Sequence, residues 1–135
     1  MRITIVGAGA MGSLIAARLT QASSFAVART DTAPASAGEH SRERIERVLL
    51  FGRPSAHLDA IHAHGLQLTE LDGSTLTVPI ETSSAPADVK GSDVVIVLVK
   101  SWASAEAVAP LRTYLTRDTV VLTLQNGLGN ASMLR

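Results

Sequence analysis

The sequence contains no cysteine. Disulfide bonds, zinc sites with cysteine ligands and thiol chemistry are therefore excluded. An excess of charge is also missing, because 12 Lys and Arg balance 12 Asp and Glu and the formal net charge is zero. A neutral chain is a poor candidate for a general nucleic-acid binder or for a protein held on a membrane by basic residues. The balance still leaves room for a local basic site that binds a phosphate group.

Aromatic residues and long hydrophobic runs are scarce. No apolar run approaches the about 20 residues of a membrane-spanning helix. Glycines interrupt the first apolar run after residue 6, which excludes a secretory signal and makes a cytoplasmic protein the expectation. Aromatic residues make up 3% of the chain and hydrophobic residues 46%, so the core must consist of Ala, Val, Leu and Ile. The length of 135 residues predicts one domain.

Short apolar runs alternate with helical patterns along the chain. Four runs are typical of buried parallel strands: residues 2–6, 48–51, 93–99 and 119–124. Residues 55–64 predict a short helix that stops at Gly65, and Asp72-Gly73 predicts a hairpin between residues 66–70 and 75–80. This alternation predicts an α/β fold, a parallel sheet with helices on both faces. Because the chain stops inside a predicted helix, we expect the sheet to be incomplete at its C-terminal end.

Residues 23–46 interrupt this pattern. Their middle part is rich in Ala, Ser, Thr and Pro and has no apolar period, which is typical of a flexible insertion. Two candidates for the second strand lie on either side of that middle part. Residues 48–51 are the more apolar, and a helix and the hairpin follow them directly, whereas residues 25–28 lie at the normal spacing from the first helix.

A complete GxGxxG motif consists of Gly7, Ala8, Gly9, Ala10, Met11 and Gly12. It follows a predicted strand and opens an amphipathic helix, which is the context that dinucleotide binding requires. Gly7 allows a tight turn, Gly9 lets a pyrophosphate approach the backbone, and Gly12 lets the helix pack against the strand. Free N–H groups and the helix dipole would hold the phosphates. The motif predicts a Rossmann-like domain over residues 1–135 with a dinucleotide bound at this loop.

The residues after the second strand distinguish NADP from NAD. Residues 48–51 are followed by Gly52-Arg53 with no acidic residue, and a guanidinium at this place favours NADPH because it binds a 2′-phosphate through paired hydrogen bonds. If residues 25–28 are the second strand, Arg29 takes that role and Asp31 lies nearby. We prefer Arg53 and keep Arg29 as the alternative.

Two polar residues, Lys100 and Asn126, follow the two most apolar strands. Ligands of open α/β sheets bind at the carboxyl ends of strands. A lysine there can contact a phosphate or a substrate carboxylate, and an asparagine can bind the nicotinamide ribose or the substrate. The four histidines show neither a metal-ligand spacing nor a Ser/His/Asp arrangement, so we predict no metal site; they are His40, His57, His62 and His64.

Four stretches carry a more specific pattern than the glycine motif alone. They are ITIVGAGAMGSLIAARL, LLFGRPSAHLDAIHAHGLQL, VIVLVKSWASAEAV and LTLQNGLGN, within residues 1–22 and 47–135. Together they resemble the N-terminal NADP-binding domain of the ketopantoate (2-dehydropantoate) 2-reductase family. The resemblance implies an NADPH-dependent oxidoreductase that converts ketopantoate to pantoate in pantothenate and coenzyme A biosynthesis. It also implies that residues 7–12 hold the pyrophosphate, Arg53 the 2′-phosphate, Lys100 the cofactor, and Asn126 the cofactor and the substrate.

Two departures from the family affect these expectations. The family has a short turn where residues 23–46 stand, so the insertion would displace the adenine end of the cofactor. Its helical C-terminal domain, which supplies the catalytic lysine and most substrate ligands, is absent here, so we expect no catalytic residue in this chain and no turnover by the chain alone. The alternatives are a related 2-keto or imino acid reductase and a non-catalytic NADP(H)-binding protein that needs a partner chain. The uncovered edge at residues 119–124 predicts self-association.

Overall fold

The computed structural model describes residues 1–29 and 44–125 of the chain. Seven strands and three α-helices lie in these residues: β1 (Arg2–Val6), α1 (Ala10–Arg29), β2 (Arg47–Phe51), α2 (Ala56–His64), β3 (Leu66–Thr69), β4 (Thr75–Val78), β5 (Glu81–Ser83), β6 (Val94–Val97), α3 (Ser104–Val108) and β7 (Val120–Thr123). Three short 3₁₀ helices span Pro86–Val89, Ser101–Ala103 and Ala109–Tyr114. No helix in the described residues is long and apolar enough to cross a membrane.

Five of the strands form one parallel sheet in the order β5-β2-β1-β6-β7. At its centre Ile5 of β1 pairs with Leu50 of β2 and with Ile96 of β6. β3 and β4 form a separate antiparallel hairpin, which confirms the prediction from Asp72-Gly73. The sheet therefore contains the four predicted parallel strands and one more, β5.

Helices cover both faces of the sheet, as the alternating pattern predicted. On the first face, Ala16 and Ala17 of α1 are completely buried, and small side chains let this helix lie close to the strands. Leu58 and Ile61 of α2 extend this first core. The second core, on the other face, contains Val89, Val108 and Leu111 packed against Leu49, Val95 and Val97.

The first helix is longer than the sequence pattern indicated. α1 continues through Arg29, so residues 25–28 are helical and their interpretation as the second strand is wrong. The central strands of a covered parallel sheet are buried on both faces. Residues 48–51 meet that requirement, and β2 pairs with β1 from Arg47 to Phe51. Residues 23–29 of the predicted insertion are helical and belong to α1. Residues 30–43 of it lie outside the described residues, so the insertion itself stays a prediction.

β5 was missed because it is short and polar, with the sequence Glu-Thr-Ser. It pairs with Leu49–Phe51 of β2, and Arg47 of β2 adds a side-chain contact, because its Nε donates a hydrogen bond to Glu81 at 2.8 Å. The same guanidinium donates to the Asp88 carbonyl oxygen at 2.8 Å. Arg47 and Glu81 are 34 positions apart, and local hydrophobic periodicity cannot predict a contact over that separation.

β7 differs from the predicted buried strand. Val120 and Leu122 pair with Val94 and Ile96, so they lie on the first face of the sheet, yet they are 52% and 44% exposed. Leu124 beyond them is 58% exposed. Val121 points to the opposite face and packs against the second core. α1 contacts β1 and β2 rather than this side of the sheet, so β7 is covered on one face only within the described part of the chain.

Candidate functional site

A cavity of about 920 Å³ lies at the carboxyl ends of β1, β2 and β6. Its volume is within the range of about 300–1,000 Å³ typical of small-molecule sites. Four segments form its walls: the loop between β1 and α1, the turn after β2, residues Ser84 and Pro86 after β5, and the segment that follows β6 as far as Pro110. We call it the glycine-loop cavity. All three strands are parallel, so their carboxyl ends meet at one edge, which is where α/β sheets bind ligands.

The glycine loop has its shape for steric reasons. Gly7 has φ of +118°, and a Cβ there would lie 2.9 Å from the Val99 nitrogen. A Cβ at Gly12 would lie 1.8 Å from the Gly7 carbonyl oxygen, so only glycine lets α1 approach the end of β1 this closely. Gly9 differs, because a Cβ there meets no atom within 4 Å. The space above Gly9 is therefore open to a ligand.

The N-terminus of α1 faces this open space. The Ser13 N–H donates to the Gly9 carbonyl oxygen at 2.9 Å and is the first hydrogen bond of the helix. The N–H groups of Ala10, Met11 and Gly12 precede it and have no acceptor within the helix. The first turn contains no acidic residue. This end of the helix thus offers N–H donors and a positive dipole to an anion.

Arg53 lies in the turn after β2 and is exposed at the wall of the cavity. The Gly7 N–H donates to the Phe51 carbonyl oxygen at 2.8 Å, which joins the glycine loop to the end of β2. A Cβ at Gly52 would come within 3.0 Å of the Ala8 Cβ, so the two turns touch. No carboxylate of the described residues pairs with Arg53. Arg29, the alternative, ends a helix rather than a strand.

The segment after β6 forms the opposite wall. Lys100 is exposed there and precedes the 3₁₀ turn Ser101–Ala103. Trp102, the single tryptophan of the chain, lines the same wall and is 78% exposed. Among the described side chains that line the cavity, Glu106 on α3 is the one acidic residue. Two cations and one anion give the lining a net positive charge, which suits a phosphate-bearing ligand.

Sequence reasoning did not single out Trp102 or Glu106 as lining residues. The position of Trp102 two residues after the strand-end Lys100 was the available signal. Asn126 lies outside the described residues, so its predicted role stays a prediction. The geometry otherwise brings the glycine motif, Arg53 and Lys100 into one cavity, as expected from the strand ends.

Other charged pairs lie away from the cavity. Arg18 of α1 makes two hydrogen bonds of 2.7 Å to the Glu70 carboxylate, and this contact lowers the pKa of Glu70. The hydrogen bond from Arg47 likewise lowers the pKa of Glu81. His57, His62 and His64 are exposed on α2, and no group of three potential metal ligands occurs in the described residues.

Comparison with known proteins identifies the family of this chain. The sequence profile described as ketopantoate reductase PanE/ApbA matches residues 3–135. The chain belongs to the ketopantoate reductase family. It is 33% identical over 134 residues to a 2-dehydropantoate 2-reductase of Halobacterium salinarum, covering 99% of this chain and 37% of the relative.

Solved structures of the family agree with this membership. A PanE/ApbA family ketopantoate reductase from Ralstonia eutropha JMP134 has a TM-score of 0.72 and 31% identity, over 100% of this chain and 37% of that protein. A D-mandelate dehydrogenase crystallised with NADH and anilino(oxo)acetate has a TM-score of 0.72 but 24% identity, over 99% of this chain and 36% of that protein, and shows the fold alone. The chain thus spans a little over a third of the length of these proteins.

Proposed function

We propose that this chain is the NADPH-binding part of a 2-dehydropantoate 2-reductase, the oxidoreductase that converts ketopantoate to pantoate in pantothenate biosynthesis. The observation that carries the proposal is the glycine-loop cavity, in which a helix N-terminus, Arg53 and Lys100 surround the open space above Gly9. Family membership supplies the reaction and the keto acid substrate. A cytoplasmic location remains a prediction from the sequence.

Each wall of the cavity has a separate task in this proposal. The free N–H groups at the start of α1 bind the pyrophosphate, and Gly9 lets it approach the backbone. Arg53 binds the 2′-phosphate, and Lys100 adds a second cation on the opposite wall. Asn126 is proposed, from the family resemblance, to bind the cofactor and the substrate.

The chemistry of the reaction comes from the cofactor, and the protein supplies binding and orientation. NADPH, when bound, supplies the hydride that reduces the keto carbon. The described residues of the cavity hold phosphates and exclude water from one side. We assign none of them as the acid that protonates the keto oxygen, because the two cations of the cavity have binding roles.

NADPH is favoured over NADH by the turn after β2. An NAD site places an acidic residue there to hold the ribose hydroxyls, whereas this turn is Gly52-Arg53-Pro54-Ser55. The preference for NADPH over NADH is measured in a binding experiment.

Trp102 makes that experiment direct. It is the only tryptophan and lines the cavity, so its fluorescence reports whether the cavity is occupied. We expect NADPH to quench Trp102 at concentrations at least about tenfold lower than NADH, because only NADPH carries the 2′-phosphate. Equal affinities would contradict the preference for NADPH, and no quenching by either cofactor would contradict cofactor binding in the cavity.

Turnover and association complete the test. With ketopantoate and NADPH, we expect this chain alone to oxidise no cofactor; measurable oxidation would contradict the assignment of a cofactor-binding role only.

The exposed residues of β7 also predict self-association of the chain. Sedimentation velocity over a range of concentrations checks this, and a monomer at all concentrations would contradict it.

A further inference from the structure

The side chain of Gln125, just after β7, forms hydrogen bonds to two residues of the segment after β6, Val99 and Ser104. Its Nε2 donates a hydrogen bond to the Val99 carbonyl oxygen and another, of 2.7 Å, to Ser104 Oγ. Its Oε1 accepts hydrogen bonds of 3.0 Å from Thr123 Oγ1 and from Ser104 Oγ. Ser104 is completely buried, so this amide is a fixed part of the structure and not a surface contact.

Val99 is held from the opposite side by the glycine loop. The backbones of the two segments are close: a Cβ added at Gly7 would lie 2.9 Å from the Val99 nitrogen and 3.0 Å from the Leu98 carbonyl carbon. The Leu98 N–H donates to the Val6 carbonyl oxygen at 2.8 Å. The backbone just before Lys100 is therefore fixed between Gln125 on one side and the end of β1 on the other.

The side chain of Lys100 is held by few contacts of its own. Its side chain is exposed, and no carboxylate in residues 1–29 and 44–125 pairs with it. Its carbonyl oxygen accepts a hydrogen bond of 2.8 Å from the Ala103 N–H, which closes the 3₁₀ turn. The position of the Lys100 ammonium in the cavity therefore depends on the backbone at residues 98–103.

We infer that Gln125 is a positioning residue, which holds Val99 against the glycine loop and thereby sets Lys100 for the phosphates of the cofactor. The inference rests on the proposed function, since it gives Lys100 a cofactor to bind. Gln125 does not line the cavity, and its effect on affinity must act through the backbone. The amide suits this role because it donates to Val99 and accepts from Thr123 at once.

The test removes the hydrogen bond from Gln125 to the Val99 carbonyl oxygen without leaving the buried Ser104 hydroxyl unpaired. Ser104→Ala serves as the reference variant, and Gln125→Met is added to it, because replacing both partners of a hydrogen bond by apolar groups of similar shape is nearly neutral for stability. Val121→Ala, also on β7 but outside this network, is the matched control for stability. Thermal unfolding of all variants establishes that each is folded.

The first measurement is amide hydrogen exchange of the chain without cofactor. We expect Gln125→Met to speed exchange of the Ala103 amide by about tenfold while the Gly65 amide at the end of α2 is unchanged. Val121→Ala should leave the ratio of the Ala103 exchange rate to the Gly65 exchange rate unchanged. An increase that is uniform over the chain, or no increase at Ala103, would overturn the inference whether or not the chain binds NADPH.

The second measurement is NADPH affinity from Trp102 quenching. Gln125→Met should weaken NADPH binding about fivefold when Lys100 is present and less than about twofold when combined with Lys100→Ala, since a residue that acts through Lys100 has no effect without it. Equal losses in both backgrounds would show that Gln125 does not act through Lys100. If the unsubstituted chain binds no NADPH, the proposed function fails and hydrogen exchange alone decides the inference.

Discussion

The two sides of the glycine-loop cavity are built on different principles. Gly7 and Gly12 are required because a Cβ at either position would lie only 2.9 Å and 1.8 Å, respectively, from a backbone atom. Arg53 and Lys100, in contrast, are exposed and make no ion pair in the described part of the chain. Gly7 and Gly12 are thus fixed by folding, whereas Gly9, Arg53 and Lys100 face the space that a ligand would occupy. Substitutions should separate stability from affinity along this division.

Gly12→Ala should have the largest effect. The new Cβ would collide with the Gly7 carbonyl oxygen, and α1 would have to move away from β1. We expect a loss of about 3 kcal/mol or more in the free energy of unfolding, equivalent to a fall of about 10 °C or more in Tm. Thermal unfolding followed by circular dichroism measures this. A variant as stable as the parent would show that α1 can shift without cost.

Gly9→Ala is the matched substitution on the same loop. Its Cβ meets no atom within 4 Å, and Gly9 does not have a positive φ, so stability should be unchanged. The methyl group would occupy the space proposed for the pyrophosphate and weaken NADPH about 100-fold. If Gly9→Ala lowers the Tm and leaves NADPH affinity unchanged, Gly9 is required for folding, as Gly12 is, and not for cofactor binding.

Arg53→Ala tests the charged side. We expect NADPH binding to weaken about 10- to 100-fold, because a charge-assisted pair with the 2′-phosphate is lost, while NADH binding changes less than about twofold. Titration with both cofactors measures the ratio. Equal losses for the two would remove Arg53 from recognition of the 2′-phosphate.

Arg47→Ala is the control for Arg53 and should have the smallest effect. Its guanidinium is already committed to Glu81 and to the Asp88 carbonyl oxygen, so cofactor affinity should not change. The partly exposed pair contributes less than about 1 kcal/mol to stability. Because the folded state lowers the pKa of Glu81 below its ordinary value of 4.5, that contribution is present at neutral pH and is lost as the pH falls through the lowered pKa.

Unfolding measured at neutral pH and at a pH below the lowered pKa of Glu81 should therefore show a stability difference between Arg47→Ala and the parent only at the higher pH. A difference that persists in acid would mean that packing of the Arg47 stem, not the ion pair, stabilises the strand pair β2–β5.

Local features were predictable because neighbouring residues encode them. Ser55 accepts a hydrogen bond from the Leu58 N–H, and Gly65 with φ of +78° ends α2, as the sequence pattern indicated. The glycine motif and the strand ends that carry Arg53 and Lys100 were also found from sequence. The sequence offers two candidates for the second strand and favours residues 48–51, and the pairing with β1 decides between them.

The sequence by itself determined the period of each element, the turns between them and the dinucleotide motif, since these depend on residues a few positions apart. Only the tertiary structure decided which side chains meet across long separations. It paired β5 with β2, left one face of β7 exposed, and brought Gln125 to Val99 and Ser104. These outcomes depend on how the sheet is ordered and which faces the helices cover, and such information is shared by the whole chain and contained in no single segment of it.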